Sequence, residues 1–406
     1  MKYTLQELAA AVGCAFYPQR WNDFFEEVMT AYDAGGCRYS DPDYYERLEK
    51  EYGCFGEKYW PVYRSAAEKT AAKEPLDRFL ALMARAVQDV DKKDEDIRAT
   101  ALLQAPDGEE SFVYNMFTGL VACSQLDTAA ETMRRRGIPE DIIRDTLMQV
   151  IGCGSSYERR HEGAYGYDLL WWAQLHIDGK LYRIGRLQLE LLETLPFPVL
   201  VLKHKDGTVA ALADGERVHR DGYVLGSLYY EDTDGAWDAH VEETQDAWFG
   251  YAYLENGYIA KERSCYKKAE WEKVLAAGDP VVSVHIPAGG GLTPALVDET
   301  LVQFREFLEK YYPDYDYKAF VCASWLMDPQ LDTLLPEDSN IVRFSRRFKR
   351  MARKSLGDGV FNFVFSKPDM NFDIRELPDT TRLERALKQH YLSGKAVYEM
   401  NGFILR

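Results

Sequence analysis

At 406 residues the chain exceeds what one hydrophobic core organises, so two domains are expected, and its 46% hydrophobic and 28% charged content excludes a disordered or fibrous polymer. A formal charge of −17 repels phosphate backbones and anionic lipid surfaces, which argues against nucleic-acid and membrane partners. Seven cysteines without a CxxC pair predict reduced thiols, and an N-terminus without a signal-peptide run, with no stretch near the roughly 20 apolar residues of a membrane span, predicts a cytoplasmic protein.

From Leu5 to about Gly152 apolar residues recur at three- and four-residue spacing, as in Phe24, Val28 and Tyr32 or Leu80, Met83 and Val87, which predicts helices. Near the end of this stretch Pro139, Glu140 and Asp141 begin a helix whose apolar stripe is Ile142, Ile143, Leu147 and Val150. A helical domain over residues 1–155 and a mixed-sheet domain over 156–406 follow, an α+β chain.

After Gly163 the turn pairs Asp178-Gly179, Asp206-Gly207, Asp214-Gly215, Asp221-Gly222 and Asn256-Gly257 separate short runs rich in Val, Leu and Tyr, the signature of hairpins. A hairpin at Asp178-Gly179 would set Trp171, Ala173, Leu175, Ile177, Tyr182 and Ile184 on one strand face, continued by Arg186, Gln188 and Glu190. Three polar positions at the far end of an apolar face suit a pocket mouth, with Glu190 as base and Arg186 as anion contact; they suit a strand emerging into solvent equally well. His176 reads as a packed, hydrogen-bonded side chain. The acidic stretch from Tyr230 to Trp248 reads as a long surface loop or lid.

Pro280 to Pro287 alternates Val282, Val284 and Ile286 against Val281, Ser283 and His285, a strand that runs into Gly289, Gly290 and Gly291. Thr293 as N-cap and Pro294 as first helical residue then start a helix with the stripe Leu296, Thr300, Leu301, Phe304, Phe307, Leu308 and Tyr311. A glycine turn entering a helix N-terminus presents backbone N–H groups and a positive dipole end to a phosphate, although Asp298 and Glu299 add negative charge in the first turns. A plain connector is the competing reading of the same glycines. His285 is the strand's titratable group near neutral pH.

Lys318 to Trp325 reads as a further strand, and Asp328-Pro329 as the start of a short helix through Leu335; strand and helix in alternation argue for a parallel pair. Between Arg343 and Lys354 seven basic residues, Arg346 and Arg347 among them, accompany Phe344, Phe348 and Met351, as on a helix with its cations outward. Such a run is either a solvated face or the contact for a nucleotide-type polyanion. The seven histidines show neither HxxxH nor HxH spacing, so no metal is expected.

Several segments together resemble a bacterial acyltransferase-domain family that has a helical N-acyltransferase N-terminal domain and a C-terminal domain similar to the GCN5-related N-acetyltransferases. They are Arg136-Gly137-Ile138-Pro139, Arg183-Ile184-Gly185-Arg186-Leu187-Gln188, His285-Ile286-Pro287 with Leu292-Thr293-Pro294, Ser324-Trp325-Leu326 with Asp328-Pro329, and Ser339-Asn340-Ile341. The resemblance implies transfer of an acetyl or acyl group from acetyl-CoA or another acyl-CoA to an amine of a small molecule or peptide. Gly289, Gly290 and Gly291 with Arg346 and Arg347 would then meet the donor, Glu190 or His285 would remove the amine proton, and Arg186, Gln188, Ser324, Trp325 and Asn340 would contact substrate. The superfamily's spacing, a basic or Gln residue, two others, then Gly-x-Gly or Gly-x-Ala, is not matched by Ala288-Gly289-Gly290-Gly291-Leu292. A non-catalytic protein that holds a small metabolite on the same fold is the alternative. A hydrolase built on Ser324 or a cysteine has less behind it, since no GxSxG elbow is present.

Overall fold

A computed structural model describes residues 2–88, 103, 105, 110–367 and 372–406. The chain divides into two compact units, Met1–Arg183 and Ile184–Arg406. The division lies beyond the 155/156 boundary expected from sequence because two further helices, Gly154–Arg160 and Leu170–Ile177, belong to the first unit.

Among its described residues the first unit is helical. Thr4 and Glu7 close a capping box on the Leu5–Ala11 helix, and Asp41 with Pro42 starts the Pro42–Tyr52 helix, which Gly53 ends at a left-handed φ of +59°. The core gathers Tyr45, Tyr63, Phe79, Phe117 and Leu120. Pro139 is the N-cap of the Glu140–Gly152 helix, as the sequence predicts, and that helix packs on Leu170–Ile177. Part of the helical stretch read from sequence, residues 89–102, 104 and 106–109, lies outside the described residues.

The strand expected over Trp171 to Ile177 is the Leu170–Ile177 helix. Its run is apolar apart from Gln174 and His176, so period 3.6 does not stand out, and Asp178-Gly179 ends a helix instead of turning a hairpin. His176 is buried, its Nδ1 2.9 Å from Leu181 O.

Among the described residues fourteen strands follow: β1 (Leu181–Ile184), β2 (Leu187–Leu192), β3 (Val199–His204), β4 (Val209–Ala213), β5 (Glu216–Val218), β6 (Trp237–Ala239), β7 (Glu242–Glu243), β8 (Ala247–Ala252), β9 (Ser264–Lys267), β10 (Trp271–Leu275), β11 (Val281–His285), β12 (Ala319–Ser324), β13 (Lys349–Ala352) and β14 (Met400–Leu405). Within the second unit β2-β11-β12-β14-β13 form a mixed sheet. β2 runs antiparallel to β11, with Gln188 opposite His285 and Glu190 opposite Ser283. β11 and β12 are the parallel pair, and their register is short: Val282 meets Phe320 and Ser283 meets Val321, after which the strands no longer pair. β14 runs antiparallel to β12, with Ala323 opposite Asn401.

The Pro294–Tyr311 helix covers the sheet face that carries Val282, Val284 and Phe320, with Phe304 against Phe320 at 6.2 Å between ring centres. Val297 is buried in that stripe, whereas Leu296, one residue earlier, is exposed. A second sheet, β10-β3-β4-β8-β7, is centred on Leu200, Leu202, Leu212, Trp248 and Tyr266, and its β3–β4 hairpin turns at Asp206-Gly207 as predicted. The expected lid from Tyr230 to Trp248 instead contains β6, β7 and the start of β8; short paired strands need few apolar anchors of their own.

Candidate active site

The sheet face opposite the Pro294–Tyr311 helix is polar at one end. Antiparallel register places Gln188, Glu190, Ser283 and His285 on this face, because directly opposed residues point the same way and alternate residues repeat. Glu190 Oε2 lies 2.6 Å from His285 Nε2, the Glu190 side chain 14% exposed and that of His285 27%. Gln188 and Ser283 are buried beside them. On the neighbouring central strand Ala323, two residues past the last β11–β12 pair, is exposed. Exposure there marks a cleft that opens where β11 and β12 part.

β11 leads out of this cleft into the glycine turn. Gly289 and Gly290 take φ of +91° and +47°, a region open mainly to glycine. Among the described residues no backbone N–H from Ala288 to Leu292 donates to a protein acceptor. Thr293 caps the Pro294–Tyr311 helix through its backbone alone, without a side-chain hydrogen bond. The turn therefore gathers unpaired amides at the positive end of an 18-residue helix.

What shapes the turn is Arg186. Sequence reasoning set it on a strand face as an anion contact; the structure sets it in the two-residue Gly185-Arg186 turn between β1 and β2. Its guanidinium donates to Pro287 O at 3.0 Å, Gly290 O at 3.0 Å and Gly291 O at 3.3 Å. Arg186 is buried, and burial lowers its pKa from the ordinary arginine value. Its backbone N–H donates to Thr300 Oγ1 at 3.0 Å, and that hydroxyl donates to Leu296 O at 2.7 Å, so the helix, the hairpin turn and the glycine turn form one frame. The planar fork is spent on carbonyls and leaves the turn's amides uncontacted.

Other candidates fall at varying distances from this frame. Asn340 opens the Asn340–Ser345 helix, its Nδ2 3.7 Å from where a side chain on Gly291 would begin. Arg347 reaches the same corner, with Nε and Nη2 2.9 and 2.8 Å from Asp298 Oδ1 and Nη2 3.4 Å from Pro294 O. The charge of Asp298 is thus met by an arginine from another element. Arg346 points away and pairs with Glu337 at 3.2 Å and Asp332 at 3.4 Å.

The basic run is not one helix: Asn340–Ser345 is helical and Lys349–Ala352 is β13, with Arg350 forked on Asp332 and Lys349 on Glu255. Ser324 Oγ accepts the Leu326 N–H at 3.1 Å and caps a short 3-10 turn in which Trp325 is buried. Cys322 sits mid-strand, its thiol pushed up to about 12 by burial, unsuited to nucleophilic attack. Sequence reasoning missed Thr300 as a frame member and Asn401 on the cleft face; each looks like an ordinary stripe or strand residue until the register is known.

A mixed sheet whose central parallel pair parts after two residues, with a glycine turn and a helix N-terminus without a side-chain cap at the parting, defines the class of acyl-transfer folds similar to the GCN5-related N-acetyltransferases. The profile of the GNAT-like C-terminal domain matches residues 181–404, and that of the N-acyltransferase N-terminal domain matches residues 57–179. The chain belongs to the family of proteins with a GNAT-like C-terminal domain preceded by an N-acyltransferase N-terminal domain.

Among solved structures, an acyltransferase in complex with decanoyl-CoA and teicoplanin is similar at 21% identity over 98% of each chain, with a TM-score of 0.60. An acyltransferase in complex with CoA and 10C-teicoplanin matches at 21% identity over 98% of each chain, TM-score 0.61, and one in complex with decanoyl-CoA at 20%, 98% of each and 0.58. At such identities the likeness speaks for the fold. No curated protein matches the chain.

Proposed function

We propose that the chain transfers an acyl group from acyl-CoA to an amine on a small molecule or peptide, with His285 as general base and Glu190 as its partner. The observation that carries this reading is the 2.6 Å contact between Glu190 and His285 at the mouth of the parted strands. The Glu190 carboxylate would orient the imidazole and stabilise the cation it becomes on taking the amine proton. The amine nitrogen attacks the thioester carbonyl, the C–S bond breaks, CoA leaves as thiolate, and the proton that the histidine took balances the thiolate on release. No protein nucleophile is required.

The amides of residues 288–292 and the helix N-terminus suit the donor's pyrophosphate: nothing stands within 4 Å of a side chain added at Gly289, and that position faces open space. Arg347, and Asn340 at the edge of the turn, are the side chains placed to meet donor phosphates, while Arg346, held by Glu337 and Asp332, contributes less. Gln188 would contact the acceptor, and Ser324 and Trp325 would shape the floor beyond β12. The solved relatives' complexes with decanoyl-CoA and teicoplanin support a long-chain donor and an acceptor on a small peptide-like molecule. Described cysteines without disulfides fit a cytoplasmic setting, where acyl-CoA is available.

The test is CoA release from decanoyl-CoA across a panel of amines, with donor binding measured separately by calorimetry. His285→Ala should lower kcat by about 10²–10⁴-fold and Glu190→Gln by less, with donor affinity retained. If the wild-type chain binds neither CoA nor decanoyl-CoA at millimolar concentration, the proposal is wrong.

A further inference from the structure

Asn401 lies on β14, directly opposite Ala323 and therefore on the same sheet face as Gln188, Glu190, Ser283 and His285. It is 6% exposed, and its Oδ1 is out of reach of water without a hydrogen-bond partner. Elsewhere on β14 the side chains of this face are apolar and packed, as Phe403 is. An unpaired buried carboxamide is destabilising, so its presence on the face that carries Glu190 and His285 calls for a ligand or a water.

Between Asn401 and the parting of β11 and β12 stands Ala323, which has no side chain beyond Cβ and is exposed. Strands lie about 4.8 Å apart, a distance an asparagine side chain can bridge over an alanine. A planar carboxamide offers one acceptor and one donor pair, which matches the N–H and C=O of a secondary amide in a two-point contact. Accepting through one end and donating through the other would satisfy the orphan oxygen after a small rotation.

Resting on the functional reading above, we infer that Asn401 is a donor-specificity residue that pairs with a secondary amide of the pantetheine arm of acyl-CoA across Ala323. It positions the arm and takes no part in proton transfer. An arm lying there would place its thioester toward His285, the group on the other side of the parting.

The test uses the full chain and two probes, CoA and adenosine 3′,5′-bisphosphate, which has the nucleotide but no arm. Asn401→Ala should weaken CoA about tenfold and leave the bisphosphate unchanged, with the unfolding midpoint level or raised because an orphan polar group is gone. Ala323→Leu, an exposed position whose change leaves the carboxamide intact, should block the path and weaken CoA as much, again sparing the bisphosphate. Unchanged CoA affinity in Asn401→Ala, or equal weakening of both probes, overturns the inference and leaves the acyltransferase reading standing. High-resolution density showing only an ordered water on Asn401 with CoA bound overturns it too. A wild-type chain that binds no CoA removes the functional reading itself, and this inference with it.

Discussion

Replacing Arg186 with alanine separates a structural role from a ligand contact. The guanidinium holds three carbonyls of the glycine turn, two at 3.0 Å and one at 3.3 Å, from a buried position. Hydrogen bonds to charged groups contribute about 1.5–3 kcal/mol each, but the released carbonyls regain water on the turn's outer side, so a net loss of about 3 kcal/mol is expected. For a unit of this size that lowers the unfolding midpoint by roughly 6–12 °C. CoA affinity should fall at least tenfold, because the amides of residues 288–292 lose their fixed geometry, yet the salt dependence of binding should keep its slope. Arg186→Lys should recover less than half, since an ammonium cannot span three carbonyls as a planar fork does. Thermal unfolding and calorimetry at two salt concentrations decide it. A variant of unchanged stability whose CoA binding has a shallower salt slope would make Arg186 a phosphate contact and refute the frame described above.

Asp328 is buried and accepts from Tyr398 N at 2.7 Å, Gln330 N at 2.9 Å and Gln330 Nε2 at 3.0 Å, yet burial raises its pKa from 3.8 to about 6. A carboxyl with a raised folded pKa favours folding while protonated, so stability should fall as pH rises from near 3.8 to about 6 and level off above, by about 3 kcal/mol. The wild-type stability minus that of Asp328→Asn should show this fall in urea titrations across the range; a constant difference would refute it. Gly290→Ala, at φ +47° with Arg186 no nearer than 3.5 Å, should cost about 1 kcal/mol from backbone strain alone and weaken CoA binding, checked by the same two assays. Asp298→Asn frees Arg347 beside the helix N-terminus and should tighten CoA about two- to fivefold at low ionic strength, the gain fading with salt. An affinity unchanged by Asp298→Asn would remove Arg347 from the donor site.

Local signals carried much of the fold. Thr293-Pro294 and the stripe through Phe304 and Leu308 specify a helix within one stretch of chain, and the structure places it at Pro294–Tyr311. Asp206-Gly207 likewise marks a real hairpin. Where local signals conflict or vanish the reading failed. The run from Leu170 to Ile177 is apolar apart from Gln174 and His176, so it shows no helical period, and a neighbouring Asp-Gly pair tipped it toward a strand when tertiary packing makes it a helix. The basic run between Arg343 and Lys354 looked like one amphipathic helix because its aromatics recur at helical spacing; pairing with β14 claims its second half for the sheet.

The candidate site was legible in its residue types and illegible in its connections. Glu190 and His285 were each plausible bases, but that they form a pair depends on the β2–β11 register across 95 residues of sequence. The glycine turn departs from the superfamily's spacing because the basic group that organises it comes from another hairpin, 101 to 105 residues earlier. A turn shaped from outside can carry a freer sequence than one shaped by its own side chains. The constraint moves to Gly185, where any side chain would meet Thr300 Oγ1 at 2.6 Å, and to Arg186 and Thr300. Motif spacing within the loop is therefore the wrong place to read whether this fold can hold its donor; the frame around the loop decides it.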